Sequence, residues 1–337
     1  MSSSPRLPDA RGPLTEALFD HLQGGSPRLP APDPEADDPL IGDDFHLALH
    51  VAYDLAYRGF EGIDDGYEWD LDVLRFRRGL EDAFETALRA ESRAQPSEVG
   101  HVDARATLTR IATEPVGPSL STYVEEHATR MQLEEFLIHR SAYQRKEADP
   151  HTWGLPRLDG PAKAAFVEIQ ADEYGEGRPG EAHADLFAVT MSAFGLDPTY
   201  GAYVGALPGS TLATGNLISL FGLQRRLLPC LIGHLALFEM TSVGPMGRYV
   251  QAIRRLGGTG EAQRFYEVHV EADVRHAEIA RDRLVGSYVD EHPEHAAEVV
   301  FGAESLSAVE GRFTAHLLAT WTADQSSLRE RILAGAA

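Results

Sequence analysis

The stretch FYEVHVEADVRHAEIARD, residues 265–282, carries the strongest structural and chemical signal in this 337-residue sequence. Its apolar residues recur at helical spacing, and His269, Asp273 and His276 form the pattern H-x-x-x-D-x-x-H. At about 100° per residue, these three side chains lie within roughly 60° of one another around a helix. Two imidazoles and a carboxylate on one stripe suit iron, manganese or zinc, which accept nitrogen and oxygen ligands together.

The alternative interpretation is that the two histidines are only solvated on a charged helix. Phe265, Val268 and Ile279 indicate instead that the stripe lies on a partly buried face. Burying two imidazoles and a carboxylate without partners costs free energy. The pattern therefore favours a metal site, which carboxylates from other helices would have to complete.

Helical periodicity extends along most of the chain, with no series of short, alternating, β-branched runs separated by turns. We therefore predict an all-α fold. The apolar segment 216–256 is predicted to form one or two helices, with a bend near Pro229 and a break at Gly244-Pro245. The predicted helices cover residues 14–22, 43–60, 71–94, 123–147, 161–174, 181–194, 216–256, 261–288 and 295–332.

The composition excludes several classes of function. A formal net charge of −22 argues against nucleic acid and anionic membranes as partners. The single cysteine, Cys230, allows neither an intramolecular disulfide nor a CxxC zinc site, and we read it as a small buried hydrophobe. The N-terminus lacks the apolar core of a signal peptide, and the apolar run Leu227–Met240 is too short to span a bilayer. We predict a soluble, cytoplasmic protein.

Three further residues are candidates to complete the metal site. Glu147 ends the predicted helix before Asp149-Pro150, and Glu173 and His183 flank the break GEGRPG. Taken alone, each of the three is also compatible with a solvated surface position. Glu239 is conspicuous because it is an isolated carboxylate in the apolar run LALFEMTS. The sequence leaves open whether the metal or substrate shell includes Glu135, His139, Glu176, Glu181 or Glu239.

A glycine pattern in the same break has a different explanation. Gly175, Gly177 and Gly180 spell G-x-G-x-x-G, the fingerprint of a dinucleotide site. The preceding segment KAAFVEIQADEY is helical, whereas that fingerprint follows a strand. We therefore predict no dinucleotide cofactor.

Four linked segments resemble the haem-oxygenase-like diiron oxidases and oxygenases. They are EEFLIHRSAYQRKEADPHTWGLPRL (134–158), KAAFVEIQADEYG (163–175), HADLF (183–187) and HVEADVRH (269–276). The resemblance covers about residues 45–320, and the linked motifs are far more specific than any single one. It implies a haem-oxygenase-like helical bundle with a helical N-terminal extension.

The resemblance also implies a cofactor and a ligand set. Three core helices of the family supply the ligands of two iron ions, which cycle between Fe2+ and Fe3+. Dioxygen is the co-substrate, and a peroxo-diferric species oxidises a bound small molecule. Carried over by position, the implied ligands are Glu147, Glu173, His183, His269, Asp273 and His276.

The implied reaction is N-oxygenation of a small amine, guanidine or amino-acid-like metabolite in a biosynthetic pathway, with an external electron donor. Other members of the family perform C–C cleavage, decarboxylation or desaturation of amino or fatty acids, and this alternative stays open. A third hypothesis, from a different class, is a helical metal-binding protein without catalytic turnover.

The sequence also suggests how the chain is divided. Residues 1–40 are Pro-rich and predicted to be flexible, with a short helix within them. Residues 41–100 form a helical N-terminal region, which supports dimerisation in one member of the family, so a homodimer is expected. Residues 101–335 form the predicted diiron domain. Only helical sequence follows His276, so we expect no C-terminal cupin of the kind that this member carries.

Overall fold

The computed structural model describes residues 4–26, 28–92, 102–114 and 117–329. Within these residues the chain forms α-helices, short 3₁₀ helices and one π-helix, Ile279–Val285, and no strand occurs among them. The predicted all-α fold is thus confirmed. The α-helices are α1 (Pro13–Leu22), α2 (Asp43–Asp54), α3 (Leu71–Glu91), α4 (Ala104–Thr113), α5 (Leu120–Glu126), α6 (Arg130–Gln144), α7 (Asp149–Thr152), α8 (Gly160–Glu173), α9 (His183–Ala193), α10 (Gly209–Leu223), α11 (Leu228–Arg255), α12 (Gly260–Glu278), α13 (Gly286–Glu291) and α14 (Ala296–Thr322).

Helix α11 lies at the centre of the fold, between α12 and α14. Two glycines allow α11 and α14 to approach closely. A Cβ on Gly233 would lie 1.8 Å from the carbonyl oxygen of Val299, and one on Gly302 would lie 2.0 Å from that of Cys230. Cys230 itself is fully buried, as the sequence predicted. A larger residue at either glycine would force the two helices apart.

The first two helices are fastened to the core. Helix α1 lies within the Pro-rich segment and buries Leu18 and Leu22. The carboxylate of Asp44 accepts hydrogen bonds from the backbone N–H groups of Leu14 and Thr15, at 2.8 and 2.9 Å. These bonds satisfy donors at the start of α1 that have no partner within the helix. Helix α2 then packs along α10.

The predicted helix over 123–147 is in fact two helices, α5 and α6. Helix α6 begins with a capping box, in which Thr129 and Gln132 each bind the other's backbone N–H through their side chains. The prediction of one helix overlooked this T-x-x-Q start signal. Helix α6 also ends before Glu147, which lies in a turn where Ala148 has a φ of 73°. The side chain of Glu147 is therefore positioned by a turn and not by the end of a helix.

Helix α11 continues through Pro245, where the sequence predicted a break. Pro229 causes no bend either, because it occupies the first turn, where its missing N–H is not needed. Pro245 lies in the helix interior and removes one helical hydrogen bond. Most of α11 is buried between α12 and α14, and we attribute the continuity of the helix to this packing.

Some predicted bounds lie outside the described residues. This applies to the end of the helix predicted over 71–94 and to the boundary at 100/101. The helix predicted over 295–332 is shorter than expected, because α14 ends at Thr322. The division at residues 40 and 100 stays a prediction.

One helix, Arg225–Arg255, is long and apolar enough to cross a membrane by length and composition. Its most apolar window is 67% buried inside the protein. This is the burial expected of a core helix in a soluble protein, as the sequence predicted. The helix is longer than the run Leu227–Met240 that the sequence singled out.

Candidate metal centre

The residues of the H-x-x-x-D-x-x-H pattern lie on the inner face of α12. His269, Asp273 and His276 are 3%, 1% and 0% exposed. Val274, between them on the helix, is 64% exposed and marks the outer face. The buried stripe that the spacing predicts is therefore present.

Side chains from three other elements meet His269. Glu147 comes from the turn after α6, Glu173 is the last residue of α8, and His183 is the first residue of α9. One ligand atom from each of the four residues lies within 4.8 Å of the others. His183 Nδ1 is 2.8 Å from Glu173 Oε2, and His269 Nε2 is 3.7 Å from Glu147 Oε1. Two imidazoles and two carboxylates thus converge.

A second group of ligand atoms lies beside the first and shares Glu173. His276 Nδ1 is 3.3 Å from Glu239 Oε2, on α11, and 3.8 Å from Glu173 Oε1. Asp273 Oδ1 is also 3.8 Å from this nitrogen. Glu173 directs one oxygen toward each group, and each group of ligand atoms could hold an ion.

Several polar atoms of the cluster have no hydrogen-bond partner among the described residues. They are both carboxylate oxygens of Asp273, Oε2 of Glu147 and Nδ1 of His276. Buried polar atoms without partners cost free energy, and in proteins they often mark an ion. Imidazole nitrogens together with carboxylate oxygens suit iron. The donor set therefore fits the metal that the sequence predicts.

The cluster's negative charge raises the pKa values of its histidines. Burial alone would lower the pKa of His269, but the adjacent Glu147 carboxylate raises it to about 10. Burial would likewise lower the pKa of His276, but the adjacent Glu239 carboxylate raises it to about 9. Burial, reinforced by the charge of Glu173, raises the pKa of Glu239 to about 7. Without a cation the site retains protons that a metal ion would displace.

Hydrogen bonds outside the cluster orient both histidines of α12. His269 Nδ1 donates to the backbone carbonyl of Phe265 at 2.7 Å, so Nε2 faces the cluster. His276 Nε2 lies 2.8 Å from Asp172 Oδ2, so Nδ1 faces the cluster. Such outer partners fix the ring orientation and tautomer of histidines that bind metals.

A tight loop returns the chain from Glu173 to His183. Gly175 has a φ of +63°, and a Cβ there would lie 2.4 Å from the backbone carbon of Glu181. Only glycine fits such a close approach in this conformation. The glycines that resemble a dinucleotide fingerprint therefore serve to close this loop.

The structure brings together every residue that the sequence analysis carried over as a candidate ligand. It adds Glu239, which is 4% exposed and which the sequence analysis had left open. The signal for Glu239 was its position as a lone carboxylate in an apolar run. The carried-over residues in the cluster are Glu147, Glu173, His183, His269, Asp273 and His276.

The pair Glu135 and His139 lies elsewhere and has other partners. Glu135 accepts hydrogen bonds from the indole N–H of Trp321 and the backbone N–H of Ser327, at 2.8 and 2.9 Å. His139 lies between the hydroxyls of Thr211 and Ser327, at 2.7 and 2.9 Å. Both side chains attach α6 to the segment after α14 and are satisfied without a metal.

Glu176 and Glu181 line a surface groove that also borders His183. Glu176 forms an ion pair with Arg178, and Glu181 lies 3.3 Å from a guanidinium nitrogen of Arg264. Neither glutamate belongs to the two groups of ligand atoms.

A narrow cavity of about 10 Å³, room for about one water molecule, lies against the cluster. One wall is the cluster itself, including Glu147, Glu173, Glu239, His269 and Asp273. The remaining lining residues are aromatic, apolar or neutral polar: Tyr143, Ala148, His151, Gln170, Leu235, Phe238 and Ser242.

Comparison with known proteins points to the same chemistry. The model of a family described as iron-containing redox enzymes matches residues 134–311, a segment that contains the whole cluster. The chain is also 26% identical to the nitrosourea synthase of Streptomyces achromogenes subsp. streptozoticus over 180 residues. That alignment covers 53% of this chain and 37% of the relative's length. The haem-oxygenase-like helical fold expected from the sequence is confirmed.

Proposed function

We propose that this chain, which belongs to the family of iron-containing redox enzymes, binds two iron ions in its buried cluster and uses dioxygen to oxidise a small molecule. The observation that carries the proposal is that Glu173 is shared by two adjacent groups of ligand atoms. A carboxylate between two histidine-containing groups favours a pair of ions over a single one.

Each ion would have its own set of ligands. Glu147, His183 and His269 would hold one iron, and Glu239, Asp273 and His276 would hold the other, with Glu173 between them. Iron bound in this way supplies the electrons that reduce dioxygen, which protein side chains do not supply by themselves.

The chain's own residues position the ions and shape the reaction space. Asp172 and the Phe265 carbonyl hold the two α12 histidines in orientation. Tyr143, Leu235 and Phe238 are apolar or aromatic parts of the cavity wall, and they limit the access of water. An oxidisable group that took the place of a water in this cavity would lie directly against the cluster.

We propose N-oxygenation of a small amine or guanidine as the reaction. Support comes from the relative's name, nitrosourea synthase, which denotes a product with an oxidised nitrogen. The alignment spans only 37% of that relative's length, so the likeness is confined to part of that protein. Oxidising an amine to a hydroxylamine consumes one dioxygen, two electrons and two protons and releases one water. An external donor would supply the electrons.

Anaerobic loading with ferrous iron, followed by oxygen and a panel of small molecules, tests the proposal. We expect about two irons per chain and a product that has gained one oxygen on nitrogen, identified by mass spectrometry. The panel contains matched amines, guanidines and carboxylic acids, and zinc-loaded protein is the control. Two bound irons together with a C–C cleavage product would show that the reaction is C–C cleavage and not N-oxygenation. Iron binding without any oxygen-dependent product would contradict an oxygenase.

We also propose a cytoplasmic homodimer that contacts its partner through residues 41–100. Trp69 and Leu71, in this region, are each 74% exposed, and exposed large apolar side chains often mark an interface. Light scattering should give a dimeric mass for the wild type and a monomeric mass for the Trp69→Ser, Leu71→Ser double variant. A Val274→Ser variant, changed at an exposed apolar residue outside this region, is the control.

A further inference from the structure

A short turn joins α13 to α14 and carries the sequence His292-Pro293-Glu294-His295. The backbone N–H of His292 donates to the carbonyl of Tyr288 at 2.8 Å, and that of His295 donates to the carbonyl of His292 at 3.0 Å. This compact backbone brings the two imidazoles and the carboxylate together. One ligand atom from each of the three side chains lies within 4.8 Å of the others, and none of the three belongs to the buried cluster.

A single carboxylate oxygen lies near both imidazoles. Oε1 of Glu294 is 3.7 Å from Nδ1 of His292 and 3.9 Å from Nε2 of His295. Ligand atoms bound at about 2.0–2.2 Å to a tetrahedral zinc ion lie about 3.4 Å apart. The side chains of His292, Glu294 and His295 are 40%, 64% and 39% exposed, so small rotations of their bonds close the difference. The two nitrogens and the oxygen can therefore meet at one ion.

The three ligand atoms have no competing partner in the part of the chain that the structure describes. No lysine or arginine there forms an ion pair with the Glu294 carboxylate, whose two contacts within 4.0 Å are the histidines. Neither His292 Nδ1 nor His295 Nε2 takes part in a hydrogen bond with a described residue. A metal ion would therefore replace water at these atoms and would break no contact that holds the fold together.

The buried phenol of Tyr288 orients the second imidazole. Tyr288 is 4% exposed, and its ring stacks on that of His295, with centroids 5.7 Å apart and planes 18° from parallel. Its hydroxyl lies 2.9 Å from His295 Nδ1. A metal ion at Nε2 requires the proton of this ring to be on Nδ1, where it donates to the phenol oxygen. Histidines that bind metals usually have such a partner at their other nitrogen.

We propose that His292, Glu294 and His295 bind a zinc ion at the surface, with water in the remaining coordination position. Zinc accepts two imidazole nitrogens and a carboxylate oxygen, whereas magnesium and calcium prefer oxygen ligands throughout. The ion would fasten the start of α14 to the end of α13. This site does not depend on the proposed function, because it shares no residue with the buried cluster.

Retention of the untagged chain on a column of immobilised zinc tests the site. A surface ligand set can reach an ion held on the column, whereas the buried ligands of the cluster cannot. We expect the wild type to be retained and the His292→Gln, His295→Gln double variant to pass through. Excess magnesium should not release the wild type. His127→Gln is the matched control, because His127 is 65% exposed and lies 3.6 Å from the Glu126 carboxylate but has no second imidazole beside it among the described residues.

Calorimetric titration with zinc measures the same site in solution. The double variant should bind about one zinc fewer per chain than the wild type. Tyr288→Phe keeps the stacked ring but removes the phenol oxygen, and it should weaken the binding that the double variant lacks about tenfold. Glu294→Gln removes a ligand and its charge, and its effect should be larger than that of Tyr288→Phe. Thermal unfolding of the metal-free proteins checks that each variant is folded.

Three results would overturn the site. The first is a wild-type protein that the column does not retain. The second is a double variant with the same retention or the same zinc stoichiometry as the wild type. The third is loss of retention in His127→Gln, which would place the contact with zinc at His127. Unchanged zinc binding in Glu294→Gln would refute the carboxylate as a ligand.

Discussion

Two buried carboxylates, Glu135 and Asp273, differ in how the protein satisfies them. Glu135 accepts hydrogen bonds from Trp321 and Ser327, and these donors are themselves buried. Asp273 receives no hydrogen bond from any described residue. A carboxylate satisfied by neutral donors stabilises the fold, whereas one without donors destabilises it until a cation binds. Burial alone therefore does not identify a metal ligand. A buried carboxylate that lacks hydrogen-bond donors is the better indication.

We expect variants of these two residues to have opposite effects. Without iron, the Asp273→Asn variant should be as stable as the wild type or more stable. With iron, it should bind about one iron fewer per chain. Glu135→Ala leaves buried donors unpaired, so the free energy of unfolding should fall by about 1–3 kcal/mol, with iron per folded chain unchanged. Urea unfolding and iron analysis measure both effects. Full iron loading in Asp273→Asn would remove this residue from the site.

The iron-free protein should lose stability as the pH rises. The pKa of Glu239 is raised from 4.5 to about 7, and that of His269 from 6.5 to about 10. A raised pKa stabilises the fold below the unfolded value, and this contribution is lost as the pH passes through the folded value. Up to about pH 6.5 the buried histidines with lowered pKa values, such as His46, His50 and His151, oppose this loss. The thermal midpoint should therefore fall between about pH 7 and pH 9. Glu239→Gln should reduce the loss near pH 7, and a midpoint that rises between pH 7 and pH 9 would contradict the pKa shifts.

At the scale of elements, the sequence revealed the face of α12 but not every residue around it. Spacing within one helix fixes which side chains share a face, so His269 and His276 could be placed together from the sequence. The position of Glu239 depends on how α11 rotates against α12, which no local pattern encodes. The break before α6 was visible as a capping box at Thr129. Pro245 misled the prediction because tertiary packing outweighed a local helix-breaking signal.

Helix α12 should respond to iron more than any other element. It carries three of the proposed ligands and passes directly into the π-helix Ile279–Val285. Without a cation its buried carboxylate and neighbouring carboxylates repel one another, and the metal relieves this repulsion. Amide hydrogen exchange over 265–285 should slow about tenfold or more on iron loading. Helix α14, which supplies no ligand, is the internal control, and equal rates over 265–285 in both forms would contradict the prediction.

At the scale of the whole molecule, the N-terminal helices are coupled to the cluster through a buried ion pair. Lys146 and Asp54 are 2% and 1% exposed, and Nζ lies 2.7 Å from Oδ1. Asp54, at the end of α2, also accepts a hydrogen bond from Tyr200 at 2.8 Å. Lys146 precedes Glu147 in the turn after α6. The N-terminal region therefore supports the turn that presents a proposed iron ligand.

Breaking this ion pair should affect both the fold and the site. Lys146→Met leaves Asp54 buried without its cation, and the free energy of unfolding should fall by about 3–5 kcal/mol. Adding Asp54→Asn removes the stranded charge but keeps an acceptor for Tyr200, so the double variant should recover part of this loss. Because the turn holds Glu147, Lys146→Met should also bind iron more weakly.

Urea unfolding of the iron-free protein and iron titration of the loaded protein measure these effects. Arg75→Met is the matched control, because Arg75 and Asp72 form an ion pair whose side chains are 76% and 63% exposed. Pairs of this kind contribute about 0–1 kcal/mol. A double variant no more stable than Lys146→Met would show that the stranded charge is not the cause. Normal iron affinity in a folded Lys146→Met would show that the N-terminal helices stabilise the protein without positioning Glu147.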